Sequence, residues 1–240
     1  MSAPKAAAAE ITHTHSDGHG HGHGHNPHLA HHFDTPAQQF DAAKLGMWAF
    51  LGQELLFFSG LFVAYAVYRS WYPEVFQQCS AQLDRVMGAT NTIVLLVSSL
   101  TAALAVRSAQ LGKKNETTAM LVITIVCAVV FLVVKGFEYH HKFEAGLLPG
   151  RYFHPIQREL KPGTHMMPEG GVFFSIYFIM TGIHALHVIV GIGVMTWLLI
   201  RNLRGEFSKD YFTPVDLTAL YWHLVDLIWI YLFPLLYLID

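Results

Sequence analysis

Charge is what this chain has least of. Asp, Glu, Lys and Arg make up 13% of its 240 residues, about half the share of an ordinary soluble domain. The chain therefore reads as an integral membrane protein on composition alone. The near-neutral net charge of -2 excludes a nucleic-acid partner, which would demand a basic surface. Cysteine is scarce too. Cys79 falls in a loop and Cys127 in the middle of an apolar run, so the two are not expected to meet and say nothing about redox compartment. There is no GxGxxG, P-loop or CxxC, which argues against nucleotide-driven transport, and no internal repeat. The first 44 residues lack the apolar core of a secretory signal, since Ala6–Ala9 is too short.

What is present is hydrophobic length. Residues of the apolar class make up 53% of the chain, gathered in five runs that each reach the roughly 20 residues needed to cross a bilayer core. The runs predict an all-α, polytopic bundle of five transmembrane helices at 44–69, 86–111, 117–142, 171–203 and 214–239. The third run continues through Lys135, Gly136, Phe137 and Glu138 as a helix expected to leave the membrane there. Residues 44–240 thus form a membrane domain, and residues 1–43 a His/Gly-rich tail expected to be disordered and cytoplasmic. Lys and Arg flank the runs more densely on the side of the N-terminus, at Lys44, Arg107, Lys113, Lys114, Arg201 and Arg204. That bias places the N-terminus in the cytoplasm and the C-terminus outside it.

Nine of the sixteen histidines lie in the tail. His19, His21, His23 and His25 alternate with glycine, and such a run binds Cu, Ni or Zn loosely. No spacing there fixes a geometry, so a low-complexity tail outweighs a metal-handling role.

The informative residues are the ionisable ones inside the spans. Each costs about 2.5–3.5 kcal/mol at mid-bilayer even on a lenient scale, and so needs a reason. Glu54 interrupts the first run and Asp226 the fifth, with His223 one turn before Asp226 on the same face. The fourth run, Val172–Ile200, holds His184 and His187 three residues apart. With Tyr177, Thr181 and Gly191 they make a polar, small-residue stripe roughly 20 Å long on one helix face. Such a stripe is expected to face protein rather than lipid. Three readings compete for these groups. Haem ligation needs histidines on opposing helices, and only His223 could oppose the pair. A proton or ion path would draw on Glu54, Asp226 and the histidines, but the Gly/Pro-broken helices of many secondary transporters are missing. Hydrogen-bonded polar groups holding a bundle, a larger complex or lipid together fit the spacing best.

Five segments, in order, resemble the subunit III family of haem–copper oxidases, and are most like the five-helix bacterial cytochrome c oxidase form. They are GQELLFFSGLFVAYAVY (52–68), NTIVLLVSSLT (91–101), GFEYHHKFEAG (136–146), FFSIYFIMTGIHALHVIVGI (173–192) and ALYWHLVDLIWIYLFPLLYL (219–238). Each alone is a weak signal; the ordered set, covering about residues 45–240, is specific. The resemblance implies a subunit that carries no haem, copper or catalytic centre of its own. It implies haem and copper in partner subunit I, allows copper in subunit II, and implies structural phospholipid against this chain. It further implies support for proton uptake and sustained turnover of a respiratory oxidase, and leaves open both the electron donor, cytochrome c or quinol, and supercomplex membership. By residue, the family's acidic position falls on Glu54, the exit-helix glutamate on Glu138, the paired histidines on His184 and His187, and the C-terminal motif on Tyr221, Trp222, His223 and Asp226. Two helices present in many members are missing before Glu54. Five-helix relatives include subunits of quinol oxidases and of nitric oxide reductase-associated complexes, and Glu54 favours the cytochrome c branch. A self-standing transporter or metal-handling membrane protein is the competing class. The expected partner of the Glu54 carboxyl is a histidine of the fourth run or a group on the adjoining subunit.

Overall fold

The computed structural model describes residues 30–31, 33–149, 152–156, 160, 167–209 and 211–239. The histidines of the tail run, His19 to His25, lie outside them. Six helices follow one another: α1 (Pro36–Trp71), α2 (Pro73–Ala81), α3 (Arg85–Gln110), α4 (Lys114–Glu144), α5 (Gly170–Leu203) and α6 (Thr213–Tyr237). All but α2 are long and apolar enough to cross a membrane, and among the described residues no strand forms. The all-α, five-span architecture is therefore as the apolar runs require.

Two boundaries differ from the sequence reading. First, α1 begins eight residues earlier than the apolar run that announced it, so residues 36–43 belong to a helix and not to the tail. Thr35 caps it by accepting from the Gln38 N–H at 3.2 Å, and Pro36 sits at the first helical position, where its missing N–H costs nothing. Second, α2 occupies what read as a loop. Its nine residues are too few and too mixed in polarity to announce themselves, yet Val75, Phe76 and Cys79 turn inward and are buried.

The bundle is built outward from α3, which packs most closely on α4 and α6. Residues 111–113 turn the chain between α3 and α4, with Gly112 at φ +69°, a left-handed conformation that glycine adopts without steric cost. Packing of α5 on α6 depends on Gly191: a Cβ there would lie 2.6 Å from the buried Trp222 ring. Small residues let helix backbones approach in this way where lipid supplies no hydrophobic drive for association. α1 is the least engaged of the spans, touching mainly α6, α5 and α2. An ion pair between Lys44 and Asp216 (3.3 Å) and a Phe40–Phe212 ring contact (5.9 Å) fasten its first half to the start of α6.

Candidate functional site

The polar stripe of the fourth run lies on α5 and faces the interior. Tyr177, Thr181 and His184 are fully buried, and His187 is partly so. The stripe serves two separate polar networks, with His184 between them.

The first network joins three helices. His187 of α5 places Nε2 3.0 Å from Glu54 Oε2 of α1, and its Nδ1 lies 2.9 Å from the Ile183 carbonyl one turn back. Both ring nitrogens are thus engaged. The Tyr221 hydroxyl of α6 donates to the His187 backbone carbonyl at 2.9 Å. Phe58, one turn after Glu54, packs its ring 5.1 Å from the imidazole. Glu54 and His187 keep 14% and 20% side-chain exposure, so the pair sits at the edge of the bundle, where α1 meets it. Two apolar grooves open between α1 and the α5–α6 pair, following α1 from the Glu54 level towards its N-terminus. One of about 250 Å³ is lined by Met47, Phe50, Val190 and Tyr221; the next, about 290 Å³, by Ala43, Trp197, Tyr211 and Pro214.

The second network surrounds Glu138. Lys135 and Glu138 were expected to mark the exit of the third span from the membrane. Both are buried within the bundle, at 4% and 1% exposure, on a helix that continues to Glu144. Lys135 Nζ donates to Glu138 Oε2 (2.9 Å), to the Tyr177 hydroxyl (3.2 Å) and to the Tyr237 hydroxyl (2.7 Å), and Tyr237 in turn donates to Glu138 Oε1 (2.7 Å). The physical reason is partnership: a charged pair can stay inside a bundle when its hydrogen-bonding capacity is met there. Tyr139, next to Glu138, bonds Thr181 at 2.5 Å.

The remaining candidates stand apart. His184 is wedged between Phe131 (ring centroids 5.5 Å) and Trp229 (5.3 Å), and neither ring nitrogen has a hydrogen-bond partner among the described residues. His223 bonds Ser99 at 2.7 Å. Asp226, on the next turn, is buried with neither carboxyl oxygen hydrogen-bonded among the described residues. Trp222 donates its indole N–H to Ser98 at 2.6 Å, and Trp229 donates to Thr92 at 3.1 Å. Of the ionisable groups picked out in the sequence, only Glu54 and His187 come together. Ser98, Ser99 and Tyr237 were not picked out, and Lys135 was read only as part of the continuation of the third helix. The one signal for Lys135 was its i, i+3 spacing to Glu138, which puts both on one helix face. Among the described residues no three His, Cys, Asp or Glu side chains converge in a way that could hold a metal ion.

Comparison with known proteins bears out the family resemblance. The family model described as cytochrome c oxidase subunit III matches residues 150–240. The chain is similar to cytochrome c oxidase subunit 3 of Corynebacterium diphtheriae, 31% identical over 204 residues that span 82% of this chain and 88% of the relative. It is also similar to cytochrome c oxidase subunit 3 of a Synechocystis species, 30% identical over 83% of this chain and 76% of the relative. In Aeropyrum pernix the similar protein is named heme-copper oxidase subunit I+III. It is 29% identical over 83% of this chain, which covers 23% of that longer protein.

Proposed function

Since the chain belongs to the cytochrome c oxidase subunit III family, we propose that it is the non-catalytic third subunit of a proton-pumping respiratory terminal oxidase. It lies in the plasma membrane of a bacterium with its N-terminus in the cytoplasm. It packs beside the catalytic subunit I, in company with subunit II, and reduction of oxygen takes place on the haem and copper of those partners. Cytochrome c is the electron donor. The relative whose name joins subunits I and III supports the pairing with subunit I.

The observation that carries the reading is the Glu54–His187 pair. It fixes α1, the least engaged span, against α5 at the depth where an ionisable group is most costly. Tyr221 secures the same point from α6. The grooves between α1 and the α5–α6 pair suit acyl chains, so that lipid completes the packing α1 leaves open. In this reading the pair keeps α1 at a set angle, α1 and its lipid shield subunit I near the mouth of a proton-uptake path, and the oxidase sustains turnover as a result. No bond is made or broken on this chain.

Gentle solubilisation tests the reading. Haem absorption in a reduced-minus-oxidised spectrum should travel with the chain and be lost once partner subunits are stripped away. In the Glu54→Gln variant, assembly should survive and the initial oxidase rate change little, while durability under turnover or the proton yield per electron falls. A chain that purifies with no haem-bearing partner, or a variant whose durability and proton yield match the parent, would overturn it.

A further inference from the structure

The second polar network has a property that hydrogen-bond satisfaction alone does not require. The Lys135 ammonium has three N–H donors, and each has an acceptor: the Glu138 carboxylate and the Tyr177 and Tyr237 hydroxyls. Around them stand four aromatic rings, with the nitrogen 5.1 Å from the Tyr177 and Trp229 centroids, 5.4 Å from Tyr237 and 5.5 Å from Tyr139. All four distances are inside the roughly 6 Å at which a ring face attracts a cation. The rings come from three helices: Tyr139 from α4, Tyr177 from α5, Trp229 and Tyr237 from α6. Trp229, Tyr177 and Tyr237 are fully buried.

A long apolar side chain could fill such a space without any of this. We propose that the network is an internal cation site whose occupant is the chain's own ammonium. Its role is to lock the C-terminal halves of α4 and α6 to the N-terminal half of α5 in one register. Register needs such a device here. Apolar helix faces in lipid are interchangeable, because the surrounding tails are as apolar as the side chains. A single charged group with one complete set of acceptors penalises every shifted arrangement, which would leave the ammonium or the carboxylate unpaired in a low-dielectric interior. Tyr237 is central to the lock, since it accepts from Lys135 while donating to Glu138 and is the last residue of α6. The lock stands apart from the Glu54–His187 pair and does not depend on the oxidase reading.

A mutant cycle on the full-length chain, purified in mild detergent, tests the proposal. Lys135→Met keeps length and removes the charge; Glu138→Gln keeps shape and removes the counter-charge. Each single variant should lower the melting temperature by about 10 °C, as loss of one member of a buried pair implies for a chain of this size. The double variant should melt above either single variant, because neither charge is then left alone. If a single variant fails to accumulate, recovery of the double variant supports the lock in the same way. Single variants that melt within about 2 °C of the parent would overturn it. So would additive losses in the double variant, or failure of both single and double variants to accumulate.

Discussion

His187 and Glu54 lie 133 residues apart in the chain and 3.0 Å apart in the fold. Among the ionisable groups that stood out within the five apolar runs, these two alone bond one another, and they tie the least engaged span to α5.

That bond is testable without the rest of the oxidase. Glu54→Gln and His187→Gln should be coupled: the double variant should lose less stability than the sum of the two singles, by about 0.5–3 kcal/mol, the range for residues in direct contact. Thermal unfolding in detergent measures it. Additive losses would mean that the carboxyl and imidazole do not act on one another.

Gly191→Ala should be destabilising although alanine is the better helix former. The added methyl would sit 2.6 Å from the Trp222 ring, and forcing it into a packed core costs about 1–3 kcal/mol. The same change at Gly193, where a Cβ meets nothing within 4 Å, should be neutral or stabilising. Melting temperatures of the two variants should therefore move apart.

The fastening of α1 to α6 should depend on rings more than on charge. Lys44 keeps 39% side-chain exposure in its ion pair with Asp216, and exposed pairs contribute about 0.2–1 kcal/mol. Phe40→Ala removes a ring contact together with its buried area. It should cost more than Lys44→Met, and high salt should erase only the Lys44 effect. Protease sensitivity near the start of α1, compared at low and high salt, separates the two.

Cys79 should be a poor nucleophile. It is almost fully buried in α2, and burial pushes its thiol from the ordinary 9.0 up to about 12. Maleimide labelling near neutral pH should be at least about tenfold slower than in the denatured chain. Below pH 9.0 the thiol is neutral in the folded and unfolded states alike, and its contribution to stability is fully present. As pH rises towards about 12 the unfolded thiol ionises and the folded one does not, so that contribution is lost across the window.

Much of this was legible in the residues, and the rest was hidden for identifiable reasons. Five apolar runs announce five spans because a bilayer leaves no other place for them. The start of α1 is set by a local cap, Thr35 and Pro36, that lies outside the apolar run. α2 is too short for any periodicity to accumulate. Glu54, His184, His187, His223 and Asp226 could all be picked out by their depth, but depth does not say which way each helix is rotated. Rotation decides that Glu54 finds His187, that His223 finds Ser99, and that His184 finds only rings. The burial of Lys135 inside the bundle could not be read from a charge near the end of an apolar run, because two of its three acceptors lie on other helices. The group that keeps it inside, the Tyr237 hydroxyl, is 102 residues away.

The early start of α1 has a mechanical consequence. A helix of 36 residues is about 54 Å long, while the hydrocarbon core of a bilayer is only about 30 Å thick. Its surplus turns form a rigid shaft, whose first half is fastened to the start of α6 by the Phe40–Phe212 and Lys44–Asp216 contacts. From Pro36 to Glu54 the shaft runs about 27 Å with its helix unbroken. A load applied at the start of α1 would therefore be taken up at those two contacts before it reached Glu54 and His187.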